Sequence, residues 1–319
     1  MEKFFKPKNL IKNILFIDGL GRSGKTALVQ ILPSLRKTEH VDYLYGLEQI
    51  LAGISLGHIS HNFGKAYITL MLNEYGYNKL IARGSNFRKD DWTGVPNSYR
   101  YKEYKKRLLR KEGDEIVNKL KNYSDTFLFC THNTMASYDV FKKMKINHKI
   151  VQVFRNPIDN IYSWYTRGWG KRFGKDPRAF TISINHKSNS GPWHLFEKKN
   201  QWFKSNEMEK CAIGVITLIK RSIKMEKKYY HKNLLNIKFE HLAENTDYVV
   251  RGISNFLGTT LTDQTKKKYK FAKMPRKIDI QHRDFKRREI KKHVSKKLFI
   301  ELIELEKYYQ KNYGLKFFK

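Results

Sequence analysis

Ile14-Leu-Phe-Ile-Asp-Gly19-Leu-Gly-Arg-Ser-Gly-Lys25-Thr26 decides the fold of this chain. Ile14–Ile17 is a short, unbroken apolar run ended by glycines, the pattern of a strand buried on both faces of a parallel sheet. After Gly24 the apolar residues Leu28, Ile31, Leu32 and Leu35 recur at helical spacing. The order is therefore strand, glycine loop, helix. Gly19–Thr26 also satisfies GxxxxGK[ST], in which glycines let successive backbone N–H groups curl inward. The following helix adds its positive end and Lys25 a full charge, so the loop is expected to bind phosphate or a close chemical relative.

Further strand-like runs are Thr126–Thr131, Lys149–Phe154 and Leu234–Phe239, each followed by residues of helical or irregular pattern. Helices are expected after Pro157, near 207–230, over Tyr248–Leu257 and in the amphipathic stretch starting at Val294. Residues 40–125 read as helical and irregular, 167–200 as polar and glycine-containing. Alternating strands and helices predict an α/β fold, a three-layer sandwich around a mainly parallel sheet. With no internal repeat and no Pro-, Gly- or Ser-rich linker, residues 1–319 read as one domain. Residues 40–125 and 166–205 are its substrate-side insertions.

The formal net charge of +34, from 64 Lys and Arg against 30 Asp and Glu, favours anionic partners. Charge alone does not choose among nucleotides, glycans, nucleic acid and membrane, but no recognised nucleic-acid motif accompanies it. Only Cys130 and Cys211 are present, which excludes a disulfide framework and suits a reducing compartment. The amino-terminal MEKFFKPKNLIKN lacks a long apolar stretch, and nothing later is long enough to span a bilayer. A soluble, cytoplasmic protein is the expectation.

A nucleoside triphosphatase with this loop would hold Mg²⁺ through Thr26 and an acid ending a second buried strand. TFLFC ends in Thr131-His132 and KIVQVF in Arg155, so that partner is weak; only Glu240, late in the chain, follows a strand. Arg155 stands at the carboxyl end of its strand, where ligands of open α/β sheets collect. Ser163 follows two turns into the helix that Pro157 opens. Both could reach one anion beside the glycine loop; equally, Arg155 could pair with Asp159 and Ser163 be an ordinary helix residue.

The pairing of Arg22-Ser-Gly-Lys-Thr26 with Arg155-Asn-Pro-Ile-Asp-Asn-Ile-Tyr-Ser163 resembles the sulfotransferase family. There [KR]-S-G-T-T holds the 5′-phosphosulfate of 3′-phosphoadenosine 5′-phosphosulfate (PAPS), and R-[DN]-P-x-[DE]-x-x-x-S its 3′-phosphate. Residues 237–258 look like the family's stretch ending FLG, and residues 282–315 like its basic segment and last helix. The resemblance implies a P-loop-like sulfotransferase fold with helical insertions, and sulfuryl transfer from PAPS, with no metal required, to a hydroxyl or amine of a glycan or small metabolite. It assigns donor binding to Gly21, Arg22, Ser23, Gly24, Lys25, Thr26, Arg155 and Ser163, with Arg22 and Lys25 also serving the transfer. The family carries Thr where this chain has Lys25, so a kinase or NTPase using ATP or GTP with Mg²⁺ stays open as the alternative.

Thr131-His132-Asn133 resembles the K-T-H segment of cytosolic sulfotransferases, which makes His132 the expected base, though Cys130 replaces the usual Lys. Glu39, Asp42 and Glu48 are reserve candidates, because carbohydrate members use a Glu. Lys273–Arg288 is expected to be a loop over the donor, with Lys277 and Arg283 its contacts; a solvated charge run is the plainer account. Trp92, Tyr99, Tyr101, Trp169 and Trp193 are candidates for stacking on the acceptor.

Overall fold

The computed structural model describes residues 8–313 apart from 90, 92, 174, 187–188 and 230–231. Trp92 and residues 1–7 of the amino-terminal stretch therefore lie outside the described residues. The strands are β1 (Ile14–Asp18), β2 (Asp42–Tyr43), β3 (Phe127–Cys130), β4 (Lys149–Phe154), β5 (Ser183–His186), β6 (Asn189–Pro192) and β7 (Leu234–Lys238). Five of them form one sheet in the order β2-β3-β1-β4-β7, and every pairing in it is parallel.

The alternation along the strands explains the layers. Ile14, Phe16, Phe127, Phe129 and Ile150 point into one core, beneath the helices Tyr45–Ser55 and His61–Leu80. Leu15, Ile17, Leu128, Cys130, Val151 and Val153 point into the other, against Lys25–Ile31 and Thr246–Leu257. Strands apolar on both faces can sit only inside a sheet covered on both sides. A third apolar cluster joins Leu20, Phe154, Ile161 and Trp164 to Glu207–Tyr229 and Lys296–Asn312. It lies beyond the carboxyl ends of β1 and β4, so that end of the sheet has a floor. Because β1 sits between β3 and β4, the chain leaves it in both directions, and the crevice at that switch point is where ligands of such sheets lie.

Two expectations need correction. Residues 167–200 contain the antiparallel pair β5–β6 and a 3₁₀ turn, Trp193–Lys198; their polar residues hid the alternation. The expected loop Lys273–Arg288 is a loop only as far as Asp279. From Ile280 it is the helix Ile280–His293, whose first turn Asp279 caps by accepting from the His282 N–H at 2.9 Å. Three charges of that run are held by carboxylates from other elements: Arg283 and Lys286 by Asp159, Arg287 by Glu306.

No helix among the described residues is long and apolar enough to cross a membrane.

Glu39 lies on the connection from the glycine-loop helix to β2 and is fully buried. It accepts from Arg100 at 2.6 Å, from Arg107 at 2.8 and 3.1 Å and from Tyr104 at 2.7 Å. Burial alone would push its carboxyl up; the Arg107 and Arg100 guanidinium groups outweigh that and hold it at about 2 instead of 4.5. A carboxylate so depressed stabilises the fold fully above its unfolded pKa, and the contribution drains away as pH falls from about 4.5 toward 2. Glu39→Gln is therefore expected to lower the melting temperature markedly at pH 7. The gap to the parent protein should narrow at pH 3, and an equal gap at both pH values in thermal melts would contradict this.

Candidate active site

The glycine loop owes its shape to backbone torsions that most residues avoid. Gly19 and Gly24 have φ of 142° and 94°, and Arg22 itself sits in the left-handed region at 66°. A side chain on Gly24 would meet the Phe239 ring at 2.1 Å, and one on Gly21 would meet the Trp169 indole at 2.2 Å. The carbonyl of Gly21 accepts two buried side-chain donors from the helix Pro157–Tyr165: Trp164 Nε1 at 2.7 Å and Asn160 Nδ2 at 3.0 Å. These bonds fasten the apex of the loop to the segment that carries the second set of candidate residues.

Arg22 and Ser163 meet as a result: the guanidinium Nε donates to Ser163 Oγ at 3.3 Å. Arg155 donates to the carbonyl of Arg22 at 3.0 Å. The alternative pairing of Arg155 with Asp159 does not form, because Asp159 is taken by Arg283 and Lys286. Burial, then repulsion from Arg167 and Arg155, holds Arg22 below its ordinary pKa. Burial likewise lowers Arg155; Asp159 and Glu240 oppose this, and Arg276 reinforces it. Arg155 and Arg276 both lie 5.3 Å from the centre of the Phe239 ring. Among the described residues Arg22, Arg155 and Arg276 form no ion pair, so their combined field is open to an anion. Two groups beside it, Ser23 Oγ and Arg155 Nε, are buried without a partner among the described residues.

Lys25 is placed differently from the expectation. Its ammonium is buried and donates to the carbonyls of Gly19 at 2.6 Å and Leu20 at 3.2 Å. Burial lowers its pKa; Cys130, Asp18 and Glu48 oppose the shift. In this conformation Lys25 braces its own loop, while Thr26 is exposed. Of the two later candidates, Lys277 is exposed and Arg283 is committed to Asp159 and Glu240 at 2.8 and 3.2 Å.

His132 follows β3. Its backbone N–H donates to Glu48 Oε1 at 2.6 Å, and its ring Nδ1 lies 3.1 Å from the same oxygen. The ring stacks in line with Tyr43 and Tyr45, with centroids 6.1 Å from each. With the Nδ1 proton on the carboxylate, Nε2 is left as the proton acceptor, the arrangement by which acids orient catalytic histidines. The ground below is firm: Asp18 accepts from Thr131 Oγ1 at 2.9 Å and from the N–H groups of Thr134 and Met135 at 3.1 and 2.9 Å. Of the three reserve acids, only Glu48 reaches the site. Glu39 is locked in its arginine cluster, and Asp42 pairs with Lys79 at 2.5 Å.

His132, Glu48 and Gly21 share the wall of a cavity of about 180 Å³, completed by Trp164, Trp169 and Trp193 among others. Trp169 and Trp193, two of the stacking candidates, are thus part of this cavity's wall. Tyr99 and Tyr101 are not: Tyr99 donates to the Leu35 carbonyl at 3.2 Å, and Tyr101 packs near Val95 and Tyr104.

Residues 12–313 match the sulfotransferase-domain family model. The chain belongs to the sulfotransferase family. Solved structures similar to it include the sulfotransferase domain of the Synechococcus PCC 7002 olefin synthase, at 12% identity and a TM-score of 0.48, covering 98% of this chain and 100% of that one. A sulfotransferase from Mycobacterium tuberculosis H37Rv is similar at 12% identity and a TM-score of 0.41, covering 86% and 76%. No curated sequence matches. Membership implies a sulfonate donor and an acceptor for this sulfotransferase.

Asn160, Trp164, Arg276 and the choice of Glu48 escaped the sequence reading. Asn160 and Trp164 had a signal, since residues four apart share one helix face. If Lys25 braces the loop, Lys25→Met removes two charge-assisted bonds and is expected to cost about 1.5–3 kcal/mol, measured by denaturant unfolding. Unchanged stability would mean that the ammonium is free for a ligand.

Proposed function

We propose that this sulfotransferase moves a sulfuryl group from PAPS to a hydroxyl or amine of a glycan or small metabolite. The observation that carries the reading is the convergence of Arg22, Ser163 and Arg155 on one loop apex whose Gly21 also walls the His132–Glu48 cavity. A donor with phosphate at one end and sulfate at the other needs cations at the first and a proton acceptor opposite the second. When bound, PAPS supplies the sulfuryl group and a phosphate leaving group.

The residues divide the work. The backbone of Gly21–Thr26 and the hydroxyl of Ser23 hold the phosphosulfate, and Arg22 neutralises charge growing on the leaving phosphate oxygen. Arg155 and Ser163 hold the 3′-phosphate, with Arg276 facing it across Phe239. Exposed Lys277 is free to join them. Arg283 acts one step back, by keeping Asp159 and Glu240 away from that anion. His132 Nε2 takes the acceptor's proton as its oxygen or nitrogen bonds to sulfur, and Glu48 fixes the ring. Lys25 keeps the loop in shape. Positioning and charge stabilisation account for catalysis of this kind without a covalent intermediate.

The product analogue 3′-phosphoadenosine 5′-phosphate is expected to raise the melting temperature well above the shift from ADP with Mg²⁺. Arg155→Ala should lose most of that shift. The opposite ranking of nucleotides would favour a triphosphate-using enzyme instead. His132→Ala should keep the nucleotide shift while turnover falls about 10²–10⁴-fold, the usual range for losing a general base. Normal turnover would reassign the proton acceptor.

A further inference from the structure

The cavity over His132 has an annex. A groove of about 430 Å³ lies against it and shares two of its wall residues, Ser137 and Trp193. The inner cavity, at about 180 Å³, is smaller than the roughly 300–1,000 Å³ of typical ligand pockets. It accommodates one ring of an acceptor whose remainder must lie elsewhere, and the groove is the adjoining space.

The chemistry of the annex narrows its occupant. Phe196 is 48% exposed there, with the Lys199 ammonium 4.4 Å from the centre of its ring. Asp139 and Lys224 stand beside it with no ion-pair partner among the described residues. The turn that carries both Trp193 and Phe196 is held in place from outside: Arg221 donates to the His194 carbonyl at 2.7 Å and pairs with Glu197 at 2.8 Å. The aromatic faces are therefore presented by a braced segment. The groove's lining carries two acids against two bases, with Lys199 over Phe196 as one further cation, a far smaller excess than that of the protein as a whole and a poor match for a polyanion. Flat apolar platforms flanked by single polar groups suit a chain of uncharged hydroxylated rings, whose faces are apolar and whose edges make hydrogen bonds.

We propose that Phe196, Asp139 and Lys224 form an outer acceptor subsite, so that the acceptor is a neutral oligosaccharide of at least two rings. One ring lies over His132, and the next passes Trp193 into the groove. This rests on the sulfotransferase reading and selects, within it, an extended glycan over a small metabolite.

The test uses the full chain with 3′-phosphoadenosine 5′-phosphate bound and an array of neutral mono-, di- and tetrasaccharides. Binding of at least one series is expected to tighten by tenfold or more from one ring to two. Phe196→Ala and Asp139→Asn should erase that gain while leaving the one-ring affinity and the nucleotide-induced melting shift unchanged. Both positions are on the surface, so the variants should fold. Affinity independent of chain length, or an equal loss for one ring and two, overturns the subsite. Tighter binding of a tyrosine-containing peptide than of any glycan overturns the substrate class. In each case a retained nucleotide shift leaves the sulfotransferase reading standing; loss of that shift in the parent protein removes both.

Discussion

The site depends on one carbonyl. Gly21 C=O takes donors from both Asn160 and Trp164, and these bonds join two segments about 140 residues apart in sequence. Buried hydrogen bonds of this sort contribute only about 0.5–1.5 kcal/mol each, but their effect here is geometric. With the apex pinned, Arg22 must turn outward in a left-handed conformation. Its side chain then falls on Ser163, and its carbonyl on Arg155. The Trp169 indole occupies the space where a Gly21 side chain would go, so the same pin that aligns the cations also fixes one wall of the cavity over His132.

Around that pin the charges are sorted into two sets. Asp159, Glu240 and Glu306 bind Arg283, Lys286 and Arg287, and Asn156 ties β4 into the same group through Glu306 at 2.9 Å. Arginines in this set fasten the helix Ile280–His293 to the end of the sheet. Among the described residues Arg22, Arg155 and Arg276 are left without an ion-pair partner, and burial followed by neighbouring arginines lowers the first two. A net charge of +34 would mean little if it were evenly spread. It acquires direction because the carboxylates near the loop are engaged on the far side of Arg155.

What could be read in the sequence was local. Buried strands are written in consecutive residues, so β1, β3, β4 and β7 emerge within a residue or so of their true bounds, and the helix from Pro157 at its true start. That the segments holding Arg22 and Ser163 belong to one site came from a family pattern; the bond between the two side chains did not. Apart from the hairpin β5–β6, whose polar residues hid a local pattern, the misreadings turn on contacts no local pattern carries. Glu39, Asp42 and Glu48 look alike on paper; Arg100 and Arg107, more than 60 residues away, consume the first, and Lys79 consumes the second. Lys273–Arg288 reads as a solvated run until Asp159 and Glu306 are brought to it.

Lys25 shows how a motif can match while its meaning changes. In GxxxxGK[ST] the lysine is informative because it extends toward phosphates. Here its ammonium is turned back on the carbonyls of Gly19 and Leu20, and extension would have to give up both of those bonds. The charge offered to an anion comes instead from Arg22, three residues earlier, which the left-handed turn lifts out of the loop. Arg22 in turn is useful only because Arg155 and Ser163 meet it. The set of cations around the loop is thus completed from β4 and the helix that follows, not by the motif lysine.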